Sequence, residues 1–383
     1  MAHVFIVNEQ TFKLHLEYQF AGTGASDIST DFIFDNSIKI NTQNEKRSVL
    51  MMADVLRIRK GDKIIFFVTG ISKFYGVFES ASVFFLDPND HKNYLGQKLG
   101  KILTYRLLIK PYKVYEKGLS EFDALDSLQG VKYPDEICWS LIYRKLDGNR
   151  GCTMITDQEY AILFKKLQKN NQLLQSKKYT YDDSKKKIIP STHRVMYKKK
   201  PLNIDDQLES NMLYKYQNKK AFEHYLEFWI IRILKSKQFN QILPSSSPVS
   251  WIGNEVMCSF GKRRIDIIAL QEQKKEINIS LIELKDEQVD KTVTEQLKGY
   301  LRWIIEYMLP IYLRKGYKAN IWPIIVSDGI SKALPKTKEK LSMVEGKIKS
   351  YDWSCYNSPS IKVSPIKIIH FTPRKSGFRL TDI

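Results

Sequence analysis

Cysteine is scarce in this chain of 383 residues, and the four cysteines lie far apart: Cys138, Cys152, Cys258 and Cys355. No two of them form a C-x-x-C pair, the spacing typical of zinc ribbons and thiol redox sites. The sequence therefore argues against a disulfide framework and against a zinc ribbon. We expect the cysteines to be reduced packing residues.

Long apolar runs are also missing. No stretch approaches the roughly 18 uncharged apolar residues expected of a membrane-spanning helix. The first residues, 1–8, carry neither the basic region nor the long apolar segment of a secretion signal. The sequence predicts a soluble cytoplasmic protein with no membrane partner.

Acidic residues are outnumbered: 42 Asp and Glu stand against 61 Lys and Arg, a formal net charge of +19. Such an excess favours a polyanionic partner, nucleic acid first, because bound cations release counterions from the phosphates. A lysine-rich surface that only keeps the protein soluble is the alternative. The hydrophobic share of 43% suffices for packed cores, and the length suits two domains.

The first part of the chain, 1–167, alternates short apolar runs with polar turns, which predicts a small mixed α/β barrel. A helix closes this domain, with Thr156 as N-cap and Glu159 at the capping-box position. The predicted strands are Val4–Val7, Lys63–Thr69, Tyr75–Glu79, Ser82–Leu86 and Leu103–Ile109.

Residues 168–220 are polar and basic, and they predict a linker with a short helix near Asp205–Tyr214. Three lysine clusters lie in it: Lys177–Lys178, Lys185–Lys187 and Lys198–Lys200. They either follow a phosphate backbone or are simply solvated, and the sequence favours neither interpretation.

The remaining residues, 221–383, predict an α/β domain in which helices flank a central mixed sheet. An apolar stripe over Ala221–Leu234 is typical of a helix that packs on a sheet. Strands are predicted at Asn254–Phe260, Ile265–Leu270, Ile277–Leu284, Asn320–Val326 and Lys367–Phe371, and helices at Thr292–Lys315 and Lys336–Ile348.

Three charged residues interrupt two of these apolar strands. Asp266 lies just inside one strand, and Glu283 and Lys285, two residues apart, share a face of the next. Because burying an unpaired carboxylate is costly, the pair predicts a site for Mg²⁺, with Mn²⁺ as a substitute, that acts on a phosphodiester. Lys285 would orient or deprotonate the attacking water. The alternative is an exposed edge-strand pair with Asp266 in a turn.

These residues belong to a longer pattern: Gly-Lys-Arg-Arg-Ile-Asp266-Ile-Ile, a turn, Ser-Leu-Ile-Glu283-Leu-Lys285, and then a helix with Gln296 and Tyr300. The region 221–371 resembles the PD-(D/E)XK nuclease superfamily, most closely its RecB-like branch. The resemblance implies that Asp266 and Glu283 are metal ligands, that Lys285 is the catalytic lysine, and that Gln296 and Tyr300 face the substrate.

The same resemblance implies a glutamate on the helix before the sheet. Glu223 is preferred over Glu227 because it lies nearer the apolar stripe, and Glu255 is a further alternative. The usual proline before the aspartate is Ile265 here, which is frequent in this branch. In the turn beside the aspartate, two guanidinium groups are expected to grip the scissile strand, and a lysine either joins them or is solvated: Arg263, Arg264 and Lys262.

In the first domain, the segment 61–82 reads as strand, turn and strand, with Phe74 and Tyr75 where the second strand begins. Together with Tyr105-Arg106 and the closing helix, it resembles the PUA-like superfamily, specifically the YTH and EVE domains. The resemblance implies a pocket that holds a flipped, often methylated base between aromatic side chains. The candidates, each of them otherwise an ordinary core residue, are Phe20, Phe74, Tyr75 and Trp139.

Taken together, the resemblances imply a two-domain restriction endonuclease, in its favoured version dependent on base modification, which reads double-stranded DNA with one domain and cuts it with the other. A double-strand cut needs two active sites, so a homodimer is expected. Two alternatives stay open. One is a repair nuclease for mismatched or branched DNA, and the other is a modified-RNA-binding protein with an inactive nuclease-like half.

Overall fold

The computed structural model of this chain describes residues 1–24, 41–87, 98–100, 103–142, 151–192, 205–218, 222–258, 263–286, 289–290, 292–328, 335–374 and 378–382. They form two compact units, which we call unit 1 (Met1–Asp206) and unit 2 (Gln207–Ile383). Both combine helices and strands, as expected for the predicted α/β class. Within these ranges, no helix is both long enough and apolar enough to cross a membrane.

Unit 1 contains a mixed sheet with helices beside it. Its strands are β1 (Ala2–Val7), β2 (Phe20–Thr23), β3 (Lys63–Val68), β4 (Lys73–Ser80), β5 (Phe85–Leu86), β6 (Tyr105–Pro111), β7 (Leu119–Ser120) and β8 (Cys152–Ile155). The order is β2-β6-β4-β3-β1-β8, with β5 on β6 and β7 on β4. Among the strands described here, β1 and β3 run parallel and the other pairs are antiparallel. Its helices are α1 (Glu9–Tyr18), α2 (Thr42–Leu56) and α3 (Asp157–Gln168).

The helix predicted at the end of the first domain begins as its sequence indicates. Thr156 accepts a hydrogen bond from the backbone N–H of Glu159, and the Glu159 carboxylate accepts one from the backbone N–H of Thr156 at 2.7 Å. These two hydrogen bonds satisfy two backbone N–H groups at the start of the helix, for which the helix itself has no acceptor. The predicted capping box is confirmed.

A hairpin, β9 (Tyr179–Asp182) with β10 (Lys187–Pro190), lies where the sequence predicts a linker. Tyr181 is buried, with its ring centroid 5.2 Å from that of Phe12 and 5.7 Å from that of Tyr75. The hairpin was not predicted, because lysines surround its few apolar residues and conceal their alternation. Lys198–Lys200 lie outside the described residues.

Unit 2 is built on a second mixed sheet. Its strands are β11 (Val249–Met257), β12 (Arg264–Gln273), β13 (Glu276–Lys285), β14 (Lys318–Asp328), β15 (Ile361–Val363), β16 (Lys367–Pro373) and β17 (Phe378–Asp382). The order is β11-β12-β13-β14-β16-β17, with β15 on β14, and β13, β14 and β16 run parallel. The helices are α4 (Asp205–Asn218), α5 (Phe222–Lys235), α6 (Thr292–Trp303), α7 (Pro310–Arg314) and α8 (Pro335–Lys349).

Helix α5 covers one face of this sheet with its apolar stripe. Phe222, Tyr225, Leu226 and Ile230 are buried, which the helical spacing of the sequence predicts. The Asn254 amide of β11 donates a hydrogen bond to Glu227 of α5 at 2.7 Å, so the side chains that share the face of Asn254 point toward α5. Their neighbours along each strand point to the opposite face.

The long helix predicted over Thr292–Lys315 is interrupted. Helix α6 ends at Trp303, a π-helical turn spans Ile304–Met308, and α7 starts at Pro310. Proline lacks a backbone N–H and collides with the preceding turn, which breaks the regular ladder. The other predicted elements of unit 2 match observed ones to within a few residues at each end, although 259–260 of the first predicted strand lie outside the described residues.

Candidate active site

Asp266 and Glu283 lie side by side on neighbouring strands. Ile267 lies opposite Ile282 in the antiparallel pair of β12 and β13. Asp266 precedes Ile267 and Glu283 follows Ile282, so the two carboxylates occupy the next opposed positions. The two side chains therefore share the face of the sheet that is turned away from α5. The Asp266 carboxylate accepts a hydrogen bond from the backbone N–H of Leu284 at 2.7 Å, which ties the two strands at this point.

Burial makes both carboxylates hard to ionise. Burial raises the pKa of Asp266 well above its usual value, the charge of Glu283 raises it further, and the hydrogen bond from Leu284 only partly opposes this. Burial also raises the pKa of Glu283, against the opposing effect of Lys285. A pair of like charges in a poorly solvated place is what a bound cation would stabilise.

Lys285 bridges the carboxylates and helix α6. Its Nζ donates to Glu283 at 2.7 Å and to the side-chain oxygen of Gln296 at 3.3 Å. Burial by itself would lower the pKa of Lys285, but the charges of Glu283, Asp266 and Glu223 outweigh it and raise that pKa. Lys285 is therefore a protonated donor. Four of the five catalytic residues predicted from the sequence thus lie together: Asp266, Glu283, Lys285 and Gln296.

Glu223, the fifth, belongs to the same electrostatic cluster. Burial raises its pKa, followed by the charges of Asp286, Glu283 and Glu255, while Lys285 lowers it. Glu227, one turn later on α5, is buried, accepts the hydrogen bond from Asn254 and also raises the pKa of Asp266. Both glutamates thus act on the carboxylate pair, but Glu227 is held by a buried amide.

One oxygen of Glu283 is buried and unpaired. Glu283 is 3% exposed, its Oε1 accepts from Lys285, and its Oε2 has no hydrogen-bond partner in the part of the chain that the structure describes. Among the described residues, no group of three or more His, Cys, Asp or Glu is arranged to hold a metal ion. Two carboxylate side chains are the donor set that Mg²⁺ commonly takes from a protein, with water and phosphate oxygens completing its coordination.

Glu255, the further alternative, pairs with Arg264. The guanidinium of Arg264 donates to the Glu255 carboxylate, across the ladder between β11 and β12. Glu255 has φ of 49°, a left-handed conformation that is unusual for glutamate inside a strand. Such conformations persist only where surrounding contacts enforce them.

Tyr300 and Arg263 border the carboxylates on the side of α6. Tyr300 is buried, and burial first, then the charges of Glu283 and Asp266, raises the pKa of its phenol. A Cβ at Gly299 would stand 3.3 Å from the Arg263 guanidinium, so the glycine permits this close approach. Lys262 lies outside the described residues.

Two neighbours of the site were missed from the sequence. Asn254 is fully buried, and within the described ranges its Oδ1 has no hydrogen-bond partner. Cys258 is buried, and burial raises its pKa to about 12, with the charge of Glu283 adding to the effect. The sequence signal for Asn254 was an amide inside a strand that also carries Glu255, and Cys258 gave no signal.

In unit 1, the four candidate aromatics do not form one pocket. Phe20 stacks on His15 with ring centroids 4.4 Å apart, and Phe74 packs on Phe67 at 4.7 Å. Tyr75 is fully buried and its hydroxyl donates to the backbone carbonyl of Lys186 at 2.9 Å. Burial of this kind is typical of core residues.

Trp139 differs from these three aromatics because it is only half-buried. Its indole N–H donates to the backbone carbonyl of Pro134 at 2.8 Å. This bond fixes the ring while leaving part of its surface in contact with solvent.

Comparison with known proteins adds little. No family model matches this chain, and no curated protein matches it. Among solved structures, the NMR structure of Rpa0253 from Rhodopseudomonas palustris is 12% identical, with a TM-score of 0.24 over 43% of this chain and 90% of that one. A likeness at that level carries no argument about fold or function.

Proposed function

We propose that this chain is a Mg²⁺-dependent DNA endonuclease of the PD-(D/E)XK type, whose unit 2 hydrolyses a phosphodiester and whose unit 1 is a PUA-like reader of a DNA base. The observation that carries the proposal is the convergence of Asp266, Glu283, Lys285 and Gln296 at one point of the sheet. A restriction enzyme that depends on base modification and works as a homodimer is the version we favour.

The donor set fits Mg²⁺, with Mn²⁺ as a substitute. Asp266 and Glu283 would hold the ion, whose charge would offset their mutual repulsion and engage the unpaired Oε2 of Glu283. When bound, the ion supplies Lewis-acid activation of the phosphodiester and of the attacking water.

The other side chains position the substrate. Lys285, kept protonated by Glu283, donates a hydrogen bond to the water or to a phosphate oxygen, and Gln296 fixes the direction of its ammonium group. Arg263 lies close to α6, where its guanidinium can pair with the backbone of the scissile strand. In unit 1, Trp139 is the half-buried one of the four candidate aromatics, the other three being buried.

The proposal is tested by incubating the full chain with methylated, unmethylated and mismatched duplexes, in Mg²⁺ and in EDTA. We expect Mg²⁺-dependent cleavage of at least one duplex. Lys285→Ala should lower the rate by about 10²- to 10⁴-fold, because it removes a group that acts on the reacting atoms.

Lys318→Ala is the matched control. Lys318 is an exposed lysine at the start of β14, whereas Lys285 lies beside Ser327 near the end of that strand. It should cleave like the unchanged chain. Equal activity in Lys285→Ala would reject the site, and preference for mismatched over methylated DNA would favour a repair nuclease. Absence of cleavage on every duplex would reject the enzyme.

A further inference from the structure

A second polar group lies on the same face of the sheet as Lys285. Lys285 pairs with Ser327 across β13 and β14, and Ser327 pairs with His370 across β14 and β16. Registered partners on adjacent strands point to the same face, so the three side chains form one row. With strands about 4.8 Å apart, the Cα atoms of Lys285 and His370 are about 10 Å apart.

His370 is held in a defined orientation. Its Nε2 is 2.9 Å from a carboxylate oxygen of Glu345, on α8. The side chain of Glu345 is 9% exposed and that of His370 is 14% exposed, so the pair is partly open to solvent. Because the bond to Glu345 uses Nε2, another group would be met at Nδ1, which donates a hydrogen bond only when the ring carries both protons.

Ser327, between the two, has a buried hydroxyl without a hydrogen-bond partner among the residues that the structure describes. The preceding registered row, two residues back on the same face, consists of Glu283, Ile325 and Ile368. On β14 and β16 the side chains of this face therefore change from apolar to polar toward the carboxyl ends of these parallel strands. In open α/β sheets, ligands bind at that edge.

We propose that His370, oriented by Glu345, contacts the DNA backbone at a phosphate flanking the one that is cut. The inference rests on the proposed function, since it takes the Asp266–Glu283 pair as the place of cleavage. A polyanion that reaches Lys285 continues along this edge of the sheet. A phosphate oxygen is an acceptor, so it favours the doubly protonated ring, whose Nε2–H bonds Glu345 while its Nδ1–H donates to the phosphate. His370 is then a binding residue and Glu345 a positioning residue.

The test uses the full chain and measures duplex binding in EDTA together with cleavage in Mg²⁺. His370→Ala should weaken binding about tenfold, the effect of losing one hydrogen bond to a charged group. The turnover number should stay within about twofold, because the residue does not touch the reacting atoms. His370→Gln, which keeps an N–H donor, should recover part of the affinity, and Glu345→Gln should weaken binding less than His370→Ala.

Thr381→Ala and thermal unfolding serve as controls. Thr381 is exposed on β17 and pairs with His370, so it tests whether any change in this row disturbs the sheet. Its affinity should match that of the unchanged chain. A lower midpoint of thermal unfolding for His370→Ala, with unchanged affinity for the duplex, would overturn the inference. It would mean that the pair of His370 and Glu345 only stabilises the fold.

Failure of the inference is distinguishable from failure of the proposed function. Cleavage by the unchanged chain, with equal affinity in His370→Ala, rejects the contact and keeps the nuclease. Tenfold weaker binding in His370→Ala, without cleavage by any form of the chain, keeps the contact and rejects the nuclease. A chain that binds no duplex rejects both.

Discussion

The ionised carboxylate of Asp266 destabilises the folded state. Its folded pKa is raised, so the folded chain holds its proton more tightly than the unfolded chain does. Stability is therefore lost as the pH rises from the ordinary carboxyl pKa, about 4, through the raised folded value. Without a cation, ionisation of Asp266 therefore opposes folding of unit 2.

Asp266→Asn should accordingly stabilise the protein while abolishing cleavage. The amide keeps an acceptor for the Leu284 N–H but removes the buried charge. In EDTA we expect a higher melting temperature than for the unchanged chain, by about 2–4 °C per kcal/mol gained, and a larger gain at pH 8 than at pH 5. Thermal unfolding at the two pH values measures this.

Glu276→Gln is the control for that prediction, because Glu276 is an exposed carboxylate at the start of β13. Its melting temperature should change little. If Asp266→Asn were less stable at both pH values, burial of the ionised carboxylate would not be the dominant effect.

At the level of elements, the β9–β10 hairpin should support the core of unit 1. Tyr181 fills space beside Phe12 and Tyr75, and its hydroxyl donates to Glu9 at 2.9 Å. Tyr181→Ala should lower the free energy of unfolding by about 3–5 kcal/mol through the lost ring. Tyr181→Phe should cost about 1 kcal/mol through the lost hydrogen bond.

Denaturant unfolding of unit 1, followed by a probe within it, checks both values. Tyr133→Ala is a matched control within unit 1, since Tyr133 is 45% exposed. Equal, small effects at Tyr181 and Tyr133 would mean that the hairpin lies against the core without supporting it.

Elements with a strong apolar period were predictable, and those without one were not. Helix α5 and strands β12, β13 and β14 have patterns that residue spacing alone reveals. The β9–β10 hairpin depends on Tyr181 finding Phe12, a contact across many residues of chain that no local pattern encodes. The interruption after Trp303 was foreseeable from Pro310, yet the apolar period continues through it and concealed the break.

In the candidate site, too, the residues that stand out from a local apolar pattern were predictable and the others were not. Charged residues inside apolar strands were visible in the sequence, so Asp266, Glu283 and Lys285 could be found. The roles of Asn254 and His370 depend on pairing between strands, which becomes known only with the register. The buried state of Phe74 and Tyr75 likewise depends on packing rather than on residue type.

At the scale of the whole molecule, the net charge of +19 predicts binding that is strongly dependent on salt. For a protein that makes six to ten phosphate contacts, duplex affinity falls by roughly 10³- to 10⁵-fold between 50 and 200 mM salt. We expect the affinity of the full chain in EDTA to fall at least tenfold over that range, measured by fluorescence anisotropy. A nearly flat response would mean that the lysines are solvated and do not meet phosphates.

The unpaired oxygen of Glu283 and its neighbour Asp266 have a consequence for the lifetime of the protein. An ion that binds only the folded state stabilises it by mass action. On the proposed function, the Mg²⁺ supply thus sets how often unit 2 opens and meets a protease. An endonuclease built in this way would be degraded faster in a cell short of Mg²⁺, so its abundance and its activity would fall together.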